Sequence, residues 1–507
     1  MDRSRCACRG LILVGALLAA WGIPRPAHAE TRTWTGAYDN DWFIRDNWDP
    51  AGLPDPTDDL IIDSGTPETA DDVTTDGGGS ITVAGGADAT LSGTLYVGES
   101  GTGALTIEAG GQVSSADGQL GYYWSATGTA MVTGAGSTWT NSGDLYVGHD
   151  GAAALTVADG GLVTAKVLYA SLSDLSGNGT ITVQGGAFLD ADLLFDGTHG
   201  LSQALPFGSG GTLNLDVDGT RILGVGYKDT GTLRIAEGRS VASTDGYLGC
   251  YRGSTGTATV TGAGSTWTNS GDLEVGQHGT GTMRVEAGGH VSNASGYVGS
   301  DPDSTGAVAV TGPGSTWTNS GTLLVGYYEA VGTLTVEAGG KVSNTYGYVG
   351  WSGSSAGTAT VTGAGSTWTN SGNLDVGRDG AGTLTVTDGG LVRVAGTLTI
   401  DYDEDDDGFI HMTSGGMLAL FGDADDSLGD FLDLIGGTDA IRYWNDGISD
   451  WDAITHATPG VDYDLSYLTT GDLTGYTMLT VPEPATLALL AVGGLSLLAC
   501  RSRKQAA

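Results

Sequence analysis

The densest group of potential metal ligands in the chain is an acidic run that begins at Asp403. Asp403, Asp405 and Asp407 alternate with other residues and are followed by glycine. This spacing matches the first half of a helix–loop–helix calcium loop, in which side-chain oxygens at alternate positions bind the ion. The twelfth position is Ser414 rather than glutamate, and residues 397–400 alternate like a strand, so a turn between strands is the alternative. We predict that the protein needs no cofactor, with calcium at these three aspartates as the one candidate.

Residues that could cleave a polysaccharide are present but scattered. Lyases and hydrolases need clustered carboxylates together with a basic residue in a groove. Glu108, Glu286 and Glu337 instead recur at one position of a repeat, which is typical of a solvated edge. The histidines lack metal-ligand spacing, and no serine lies in a nucleophile-elbow context. We therefore expect the protein not to be an enzyme, and a lyase or hydrolase is the alternative.

The elements that would position any such residue are short and repeated. The phrase Ser-Thr-Trp-Thr-Asn-Ser-Gly occurs four times, at 137–143, 265–271, 315–321 and 366–372. A shorter unit opens with glycine about every 25 residues. Its openings lie near residues 79, 103, 128, 153, 179, 211, 231, 256, 281, 306, 332, 357 and 382. Repeats of this period indicate a solenoid or a related array.

Each unit contains strands with alternating polarity. Apolar residues follow the opening at the second and fourth positions, as in Leu334 and Val336, and this alternation predicts a half-buried strand. A later Leu-x-Val-Gly segment predicts another strand. The repeated tryptophan should align with Val291 and Val342 of the intervening units and point inward.

A coil of 25 residues cannot bury its own apolar face, so successive coils must stack. The sequence therefore predicts an all-β fold, a parallel β-solenoid with the right-handed sense that parallel crossovers favour. About 13 coils form residues 79–411, between an N-terminal cap region at 30–78 and a C-terminal cap or stalk at 412–480. A propeller would need four strands per blade of about 40–50 residues, and the half-period argues against it.

The first 29 residues have the three parts of a secretory signal peptide. Arginines precede an apolar run, and Ala27-His28-Ala29 then precedes Glu30. A basic start, an apolar core and an Ala-x-Ala site are removed on export, so we predict cleavage after Ala29. A permanent membrane anchor is the alternative, although the apolar run is short for a span.

The last residues, 481–507, form a second ordered signal. Its parts are the motif Pro482, Glu483 and Pro484, a nearly apolar run at 485–500, and the basic residues Arg501, Arg503 and Lys504. Sixteen residues would make a short transmembrane helix, and the basic end would stay cytoplasmic. An ordinary C-terminal anchor is the alternative. Both interpretations place residues 30–480 outside the cytoplasm.

These C-terminal parts resemble a PEP-CTERM sorting signal. The resemblance implies processing near Pro-Glu-Pro by a membrane protease of the exosortase type, after a transient stay in the membrane. It also implies delivery to the cell surface or an extracellular polysaccharide matrix. The array resembles the repeats shared by PEP-CTERM proteins and type V secretion (autotransporter) passengers, through its Gly-Thr-Leu-Thr-Val, Ser-Thr-Trp-Thr-Asn-Ser-Gly and Leu-x-Val-Gly segments. That resemblance implies a β-helical surface protein without one uniform activity.

Charge limits the partners. Residues 30–484 hold 13 basic and 58 acidic side chains, a net charge of −45, which repels nucleic acid and anionic membranes. Cys250 is the only cysteine of this part, so no internal disulfide can form. Ice binding by Thr-x-Thr stacks is a third hypothesis, but Arg234 and Arg284 interrupt them. We expect a structural or adhesive surface protein that acts through many weak contacts to cell-surface or matrix polysaccharide.

Overall fold

The computed structural model describes residues 29–217, 219–402, 407–424, 427–435 and 440–482. Strands account for 53% of the structure and helix for 3%, and parallel sheets stack into a β-solenoid of about 15 turns. The predicted all-β solenoid is therefore confirmed. Its right-handed sense stays a prediction from the crossover rule.

Each regular coil contributes a strand to three faces, called here the first, second and third face. Strands of the first face are up to seven residues long and alternate between buried and solvent-facing side chains. These strands are Thr31–Trp34, Asp59–Ile62, Ser80–Val83, Thr102–Glu108, Thr127–Thr133, Ala152–Ala158, Leu175–Ser176, Asp192–Phe195, Thr230–Ile235, Thr255–Thr261, Thr280–Glu286, Thr305–Thr311, Val331–Glu337, Ala356–Thr362, Ala381–Thr387, Gly408–Met412 and Ile441–Asn445.

The second and third faces follow after tight turns. The second face is formed by Glu68–Thr69, Asp88–Leu91, Gln112–Ser115, Thr138–Asn141, Gly211–Asp216, Ser240–Ser243, Thr266–Asn269, His290–Asn293, Thr316–Asn319, Lys341–Asn344, Thr367–Asn370, Leu391–Val394 and Met417–Phe421. The third face is formed by Val73–Thr75, Leu95–Val97, Gly118–Leu120, Asp144–Val147, Leu223–Val225, Gly246–Leu248, Leu273–Val275, Gly296–Val298, Thr322–Val325, Tyr346–Val349, Leu374–Val376 and Leu398–Ile400. Two long strands, Leu162–Ser171 and Thr180–Asp190, run through both faces.

The middle of the rod is irregular, and one prediction fails there. Ile181 pairs with Val163 and Leu213 on the second face, whereas the first-face partner of Leu155 is Leu175. The openings near 179 and 211 are therefore not equivalent to the others. Alternation alone cannot assign a strand to a face, because every half-buried strand shows it. The remaining openings do begin first-face strands in matched register.

This irregular segment interrupts two of the three faces. An antiparallel hairpin, Ser202–Phe207 with Gly211–Asp216, ends one sheet of the second face before Ser240–Ser243 begins the next. Within the described residues, Leu175–Ser176 and Asp192–Phe195 of the first face belong to different sheets. The third face continues without a break from Thr180–Asp190 to Leu223–Val225 and onward.

The interior explains why the obvious repeat is 50 residues rather than 25. Trp317 is fully buried and pairs with Val291 and Val342 of the neighbouring coils, as predicted. On the third face of the preceding coil lies Gly296, where a Cβ atom would stand 2.6 Å from the Trp317 ring. Coils with tryptophan and leucine therefore alternate with coils with valine and glycine, so that large side chains fill the space that small ones leave.

The polar residues of the repeated phrase also serve stacking. The Trp317 indole nitrogen donates to Asn293 Oδ1 of the preceding coil at 2.7 Å, and Asn293 Nδ2 donates to Asn319 Oδ1 at 2.6 Å. Ser315 Oγ accepts from the Gly288 backbone N–H and donates to the Thr311 carbonyl. Since buried polar groups need hydrogen-bond partners, the polar side chains of the phrase serve to join neighbouring coils by hydrogen bonds.

Both ends of the stack carry additional structure. At the N-terminal end, Trp48 contacts Trp34 and Trp42 edge to face, each at 5.2 Å between ring centres, and Trp48–Asp49 pairs antiparallel with Thr31–Trp34. The C-terminal end adds the helix Leu428–Asp433. Antiparallel strands lie there at Asp450–Ala453, Asp464–Leu468 and Tyr476–Thr480, with a short 3-10 turn at Ile454–His456. Two more 3-10 turns lie at Arg45–Asn47 in the N-terminal end and at Leu172–Asp174 in the middle of the rod. Such ends shield the apolar interior of the terminal coils.

Candidate binding face

The surface whose residues vary most from coil to coil is the outer side of the third face. We call the outward-pointing middle residue of each third-face strand the outer row, and strand register aligns these residues one above another. The outer row is Thr74, Tyr96, Gln119, Tyr146, Tyr169, Phe188, Gly224, Tyr247, Glu274, Tyr297, Leu324, Tyr348, Asp375 and Thr399. Half of these positions are aromatic, although nothing in coil packing requires an aromatic ring on the outside.

A second aligned set lies at the turn that follows. Each third-face strand ends at a glycine or at an equivalent residue. The residue that follows this position in each coil belongs to the set that we call the turn row. Backbone N–H groups of Tyr327, Trp351 and Arg378 each bond to the preceding coil's equivalent glycine carbonyl, so the parallel ladder extends through this row. The two rows bring rings from separate strands and turns together along one edge of the rod.

The middle of the two rows is a closed cluster. Tyr169 stacks on Tyr146 and on Phe188, at 4.0 and 4.4 Å between ring centres. Tyr227 is fully buried, and its hydroxyl donates to the Gly148 carbonyl at 3.1 Å. Burial raises the pKa of Tyr227 well above its ordinary value. These rings form a small second core over the irregular coils, in which Phe188 and Tyr227 are buried and Tyr146 and Tyr169 are partly buried.

Cys250 belongs to this closed cluster. Its side chain is buried, and burial raises the pKa of its thiol well above the ordinary value. The thiolate is the reactive form of cysteine, so this residue is suited to packing and not to redox chemistry.

Towards the N-terminus the aromatic residues become exposed. Tyr96 contacts Tyr122 edge to face at 5.3 Å, and Tyr122 contacts Tyr123 at 4.7 Å. Tyr123 is 52% exposed and Trp124 is 86% exposed. These four residues are called the first platform.

A second platform lies towards the C-terminus. It consists of Tyr327, Tyr348, Trp351, Arg378 and Tyr402. Tyr348 meets Trp351 edge to face at 4.2 Å. The Arg378 guanidinium lies 4.2 Å from the Trp351 ring centre and 5.4 Å from that of Tyr402. Tyr402 is 60% exposed, so one ring of this platform stands free in solvent.

Carboxylates accompany the rings along the same face. Every described carboxylate with a raised pKa belongs to a third-face strand or to an adjoining turn. They are Asp144, Asp174, Asp272, Glu274, Asp301 and Asp375. Burial is the main cause in each case, because it disfavours the charged form. The pKa of Glu274 is raised most among them, to about 7. The negative charges of Asp301, Asp272 and Asp245 add to the effect of burial.

A separate depression lies at the N-terminal end of the rod. It encloses about 490 Å³ between Asp41, Glu68 and Asp71, with Phe43 and Thr90 on its sides. These lining residues include carboxylates but no basic side chain.

The predicted calcium loop is described only in part. Asp403 and Asp405 lie outside the described residues. Asp407 precedes the strand Gly408–Met412, and its backbone N–H donates to Asp401 Oδ1 at 3.3 Å. Within the described part of the chain, no group of three or more histidine, cysteine, aspartate or glutamate side chains could hold a metal ion. Calcium binding remains a prediction.

The predicted processing sites lie at the edges of the described chain. Ala29 and Glu30 are exposed, while Ala27 is outside the described residues. The Glu30 backbone N–H donates to Asp58 Oδ1, and its carboxylate pairs with Arg32. Pro482 is the last described residue of the second signal. Glu483, Pro484, Arg501, Arg503 and Lys504 lie outside.

Sequence reasoning missed the outer row, although a signal for it existed. The middle position of Leu-x-Val-Gly holds tyrosine at Tyr146, and the matching Gly-x-Val segments hold it at Tyr297 and Tyr348. Once the coils are in register, these tyrosines fall on one line. The turn row is harder to predict, because loop residues follow no alternation.

Only the C-terminal end of the chain is similar to a known family. No curated protein and no solved structure matches the chain. Among the residues that the structure describes, no helix combines the length and the apolar character that a membrane span requires. Residues 480–504 match the family model of the PEP-CTERM protein-sorting motif. This match indicates an exported protein that exosortase-type machinery sorts and processes.

Proposed function

We propose that the protein is a structural or adhesive component of the cell surface or extracellular matrix. The observation that carries this proposal is the continuous stack of matched coils, a rod on the order of 70 Å long if about 15 turns rise by roughly 4.8 Å each. Such a rod repeats similar contact surfaces at fixed spacing. Many weak contacts made together then give strong attachment.

The ends of the chain support this destination. A signal peptide at 1–29 would start export, and the apolar run at 485–500 would hold the chain in the membrane until processing near Pro482. Arg501, Arg503 and Lys504 would stop transfer, since basic residues stay on the cytoplasmic side. The resemblance of the array to repeats shared with autotransporter passengers agrees with a surface location.

We propose further that the protein acts by binding and not by catalysis. Its half-buried carboxylates lie between aromatic rings along the third face, as Glu274 lies between Tyr247 and Tyr297, which suits contact with a ligand laid over the surface. A polysaccharide lyase or hydrolase is the rival function. Incubating the purified protein with a panel of polysaccharides and measuring reducing ends and unsaturated products tests it, and sustained product formation would establish the rival.

Sorting can be tested in cells that carry exosortase-type machinery. An epitope-tagged full chain should be found at the cell surface or in the matrix, shortened at its C-terminus. Replacing Glu483 and Pro484 by alanine should leave a longer form in the membrane fraction. The matched control replaces Glu68, which is remote from the motif, and should be processed normally. Surface delivery of both forms at equal length would contradict the proposal.

Calcium is a separate, smaller proposal for Asp403, Asp405 and Asp407. Calcium titration of the purified protein, followed by calorimetry and thermal unfolding, should show heat of binding and a raised midpoint. The Asp405→Asn variant should lose both effects. An unchanged midpoint in the unsubstituted protein would remove calcium from the description.

A further inference from the structure

We propose that the first and second platforms together bind an extended polysaccharide without acidic groups, laid along the rod axis. This inference deepens the proposed adhesive function and rests on it. It names the ligand class and the surface. The opposite faces of the rod, where the same residues recur from coil to coil, take no part.

The outermost rings of both platforms are exposed. Aromatic rings on the outside of a soluble rod are costly to hydrate unless they pack, and the closed middle cluster shows how this chain packs them. Trp124 is 86% exposed and Tyr402 is 60% exposed, so the outermost rings of the platforms do not pack in this way. Flat, exposed tyrosine and tryptophan side chains offer an apolar surface with a polar edge. The two faces of a sugar ring are complementary to this, because C–H groups cover them and hydroxyls surround them.

Charged side chains lie beside the rings of the second platform. Asp375 Oδ2 lies 3.6 Å from an Arg378 Nη atom, and Asp379 Oδ2 lies 3.9 Å from Arg378 Nε, so donors and acceptors stand beside the Trp351 ring. Carboxylate oxygens accept hydrogen bonds, and a guanidinium donates them. A chain of sugar hydroxyls can satisfy both kinds of group at once.

The third face is rich in carboxylates. The raised pKa values of Asp301 and Asp375 arise from burial, and the face carries many more carboxylates than basic groups. Uronic acids, sulfated sugars and nucleic acids would be repelled by it. A neutral chain is tolerated, and a chain with amino groups gains attraction. The shared chemistry is therefore an extended polysaccharide without negative charge.

The distance between the two platforms can be spanned by one extended polymer. Nine coil steps separate the outer-row positions Gln119 and Tyr348, so the two platforms lie roughly 40 Å apart at about 4.8 Å per coil. That coil spacing is close to the length of one sugar ring in an extended chain. One polymer can therefore reach both platforms, and simultaneous contact raises the apparent affinity well above that of either platform alone.

The test uses the protein as cells leave it after export, with three soluble probes: a neutral glucan, an amine-bearing glucan and a polyuronate. We expect binding to one or both of the non-acidic probes and none to the polyuronate. Tyr123→Ala with Trp124→Ala should weaken binding at least tenfold, and so should Tyr402→Ala. All three together should abolish it.

Two controls keep the result interpretable. Tyr38→Ala removes a ring that is 73% exposed but lies outside both platforms, and it should leave binding unchanged. Thermal unfolding should be the same for all variants, because the substituted side chains are exposed. Equal affinity of platform variants and unsubstituted protein, or preference for the polyuronate, would overturn the inference. Neither outcome would affect the sorting test, which reads location and length.

Discussion

The interior of the second face and the outer row of the third face are built from the same coils but follow different rules. Inside, tryptophan recurs at Trp139, Trp267, Trp317 and Trp368, each fully buried and bonded through its indole nitrogen to the coil before. Outside, the aligned positions change from tyrosine to glutamate, glycine, leucine or aspartate. The inside repeats because each coil must fit its neighbours. The outside is free of that constraint, so the residues there can vary from coil to coil without disturbing the stack.

The strongest test of this comparison removes one ring from each region. Trp317→Ala should lower the free energy of unfolding by about 3–5 kcal/mol, because it leaves a cavity and deprives Asn293 Oδ1 of its donor. Trp124→Ala should change it little, since that ring is exposed. Denaturant titration followed by circular dichroism measures both. Equal losses would mean that the outer rings are part of the structural core.

A second test addresses the alternation of large and small residues. A Cβ atom at Gly296 would lie 2.4 Å from Asn319 Oδ1 and 2.6 Å from the Trp317 ring, so Gly296→Ala should destabilise the protein by about 1–3 kcal/mol. In the Trp317→Val background the same change should cost much less. The double-mutant cycle reports their coupling. Strictly additive effects would contradict the proposed complementarity of neighbouring coils.

The third test uses pH to probe the outer row. Burial raises the pKa of Glu274 to about 7 in the folded protein, above the ordinary value of 4.5 that the unfolded chain restores. Between these values the folded state binds more protons, so stability should fall as pH rises from about 4.5 to 7 and stay level above. The contribution of this group is about 3 kcal/mol at most.

Glu274→Gln isolates that contribution. The variant should show a flatter dependence of unfolding midpoint on pH and greater stability at pH 8. Glu68→Gln, which changes an exposed glutamate, is the control. If both variants keep the pH dependence of the unsubstituted protein, another group on the same face is responsible.

Much of the fold could be predicted, because it follows from residues that every coil needs. The spacing of Leu334 and Val336 specified strands, and the repeated tryptophan specified the pairing with Val291 and Val342. The faces of residues 172–217 could not be predicted, because Ile181 and Leu213 show the alternation of a first-face strand but lie on the second. The platforms depend on which turns come together after stacking, as Trp351 and Arg378 do. Only the three-dimensional register reveals that.

The interrupted faces in the middle of the rod have a consequence for how the protein unfolds. Only the third face joins the two halves of the array through continuous pairing among the described residues. In a stack whose stability is a sum of neighbour contacts, one poorly matched junction divides the whole into two cooperative units. Heat or mechanical tension should then melt the halves in separate stages, and a single sharp transition in calorimetry would show that the junction is as firm as the rest.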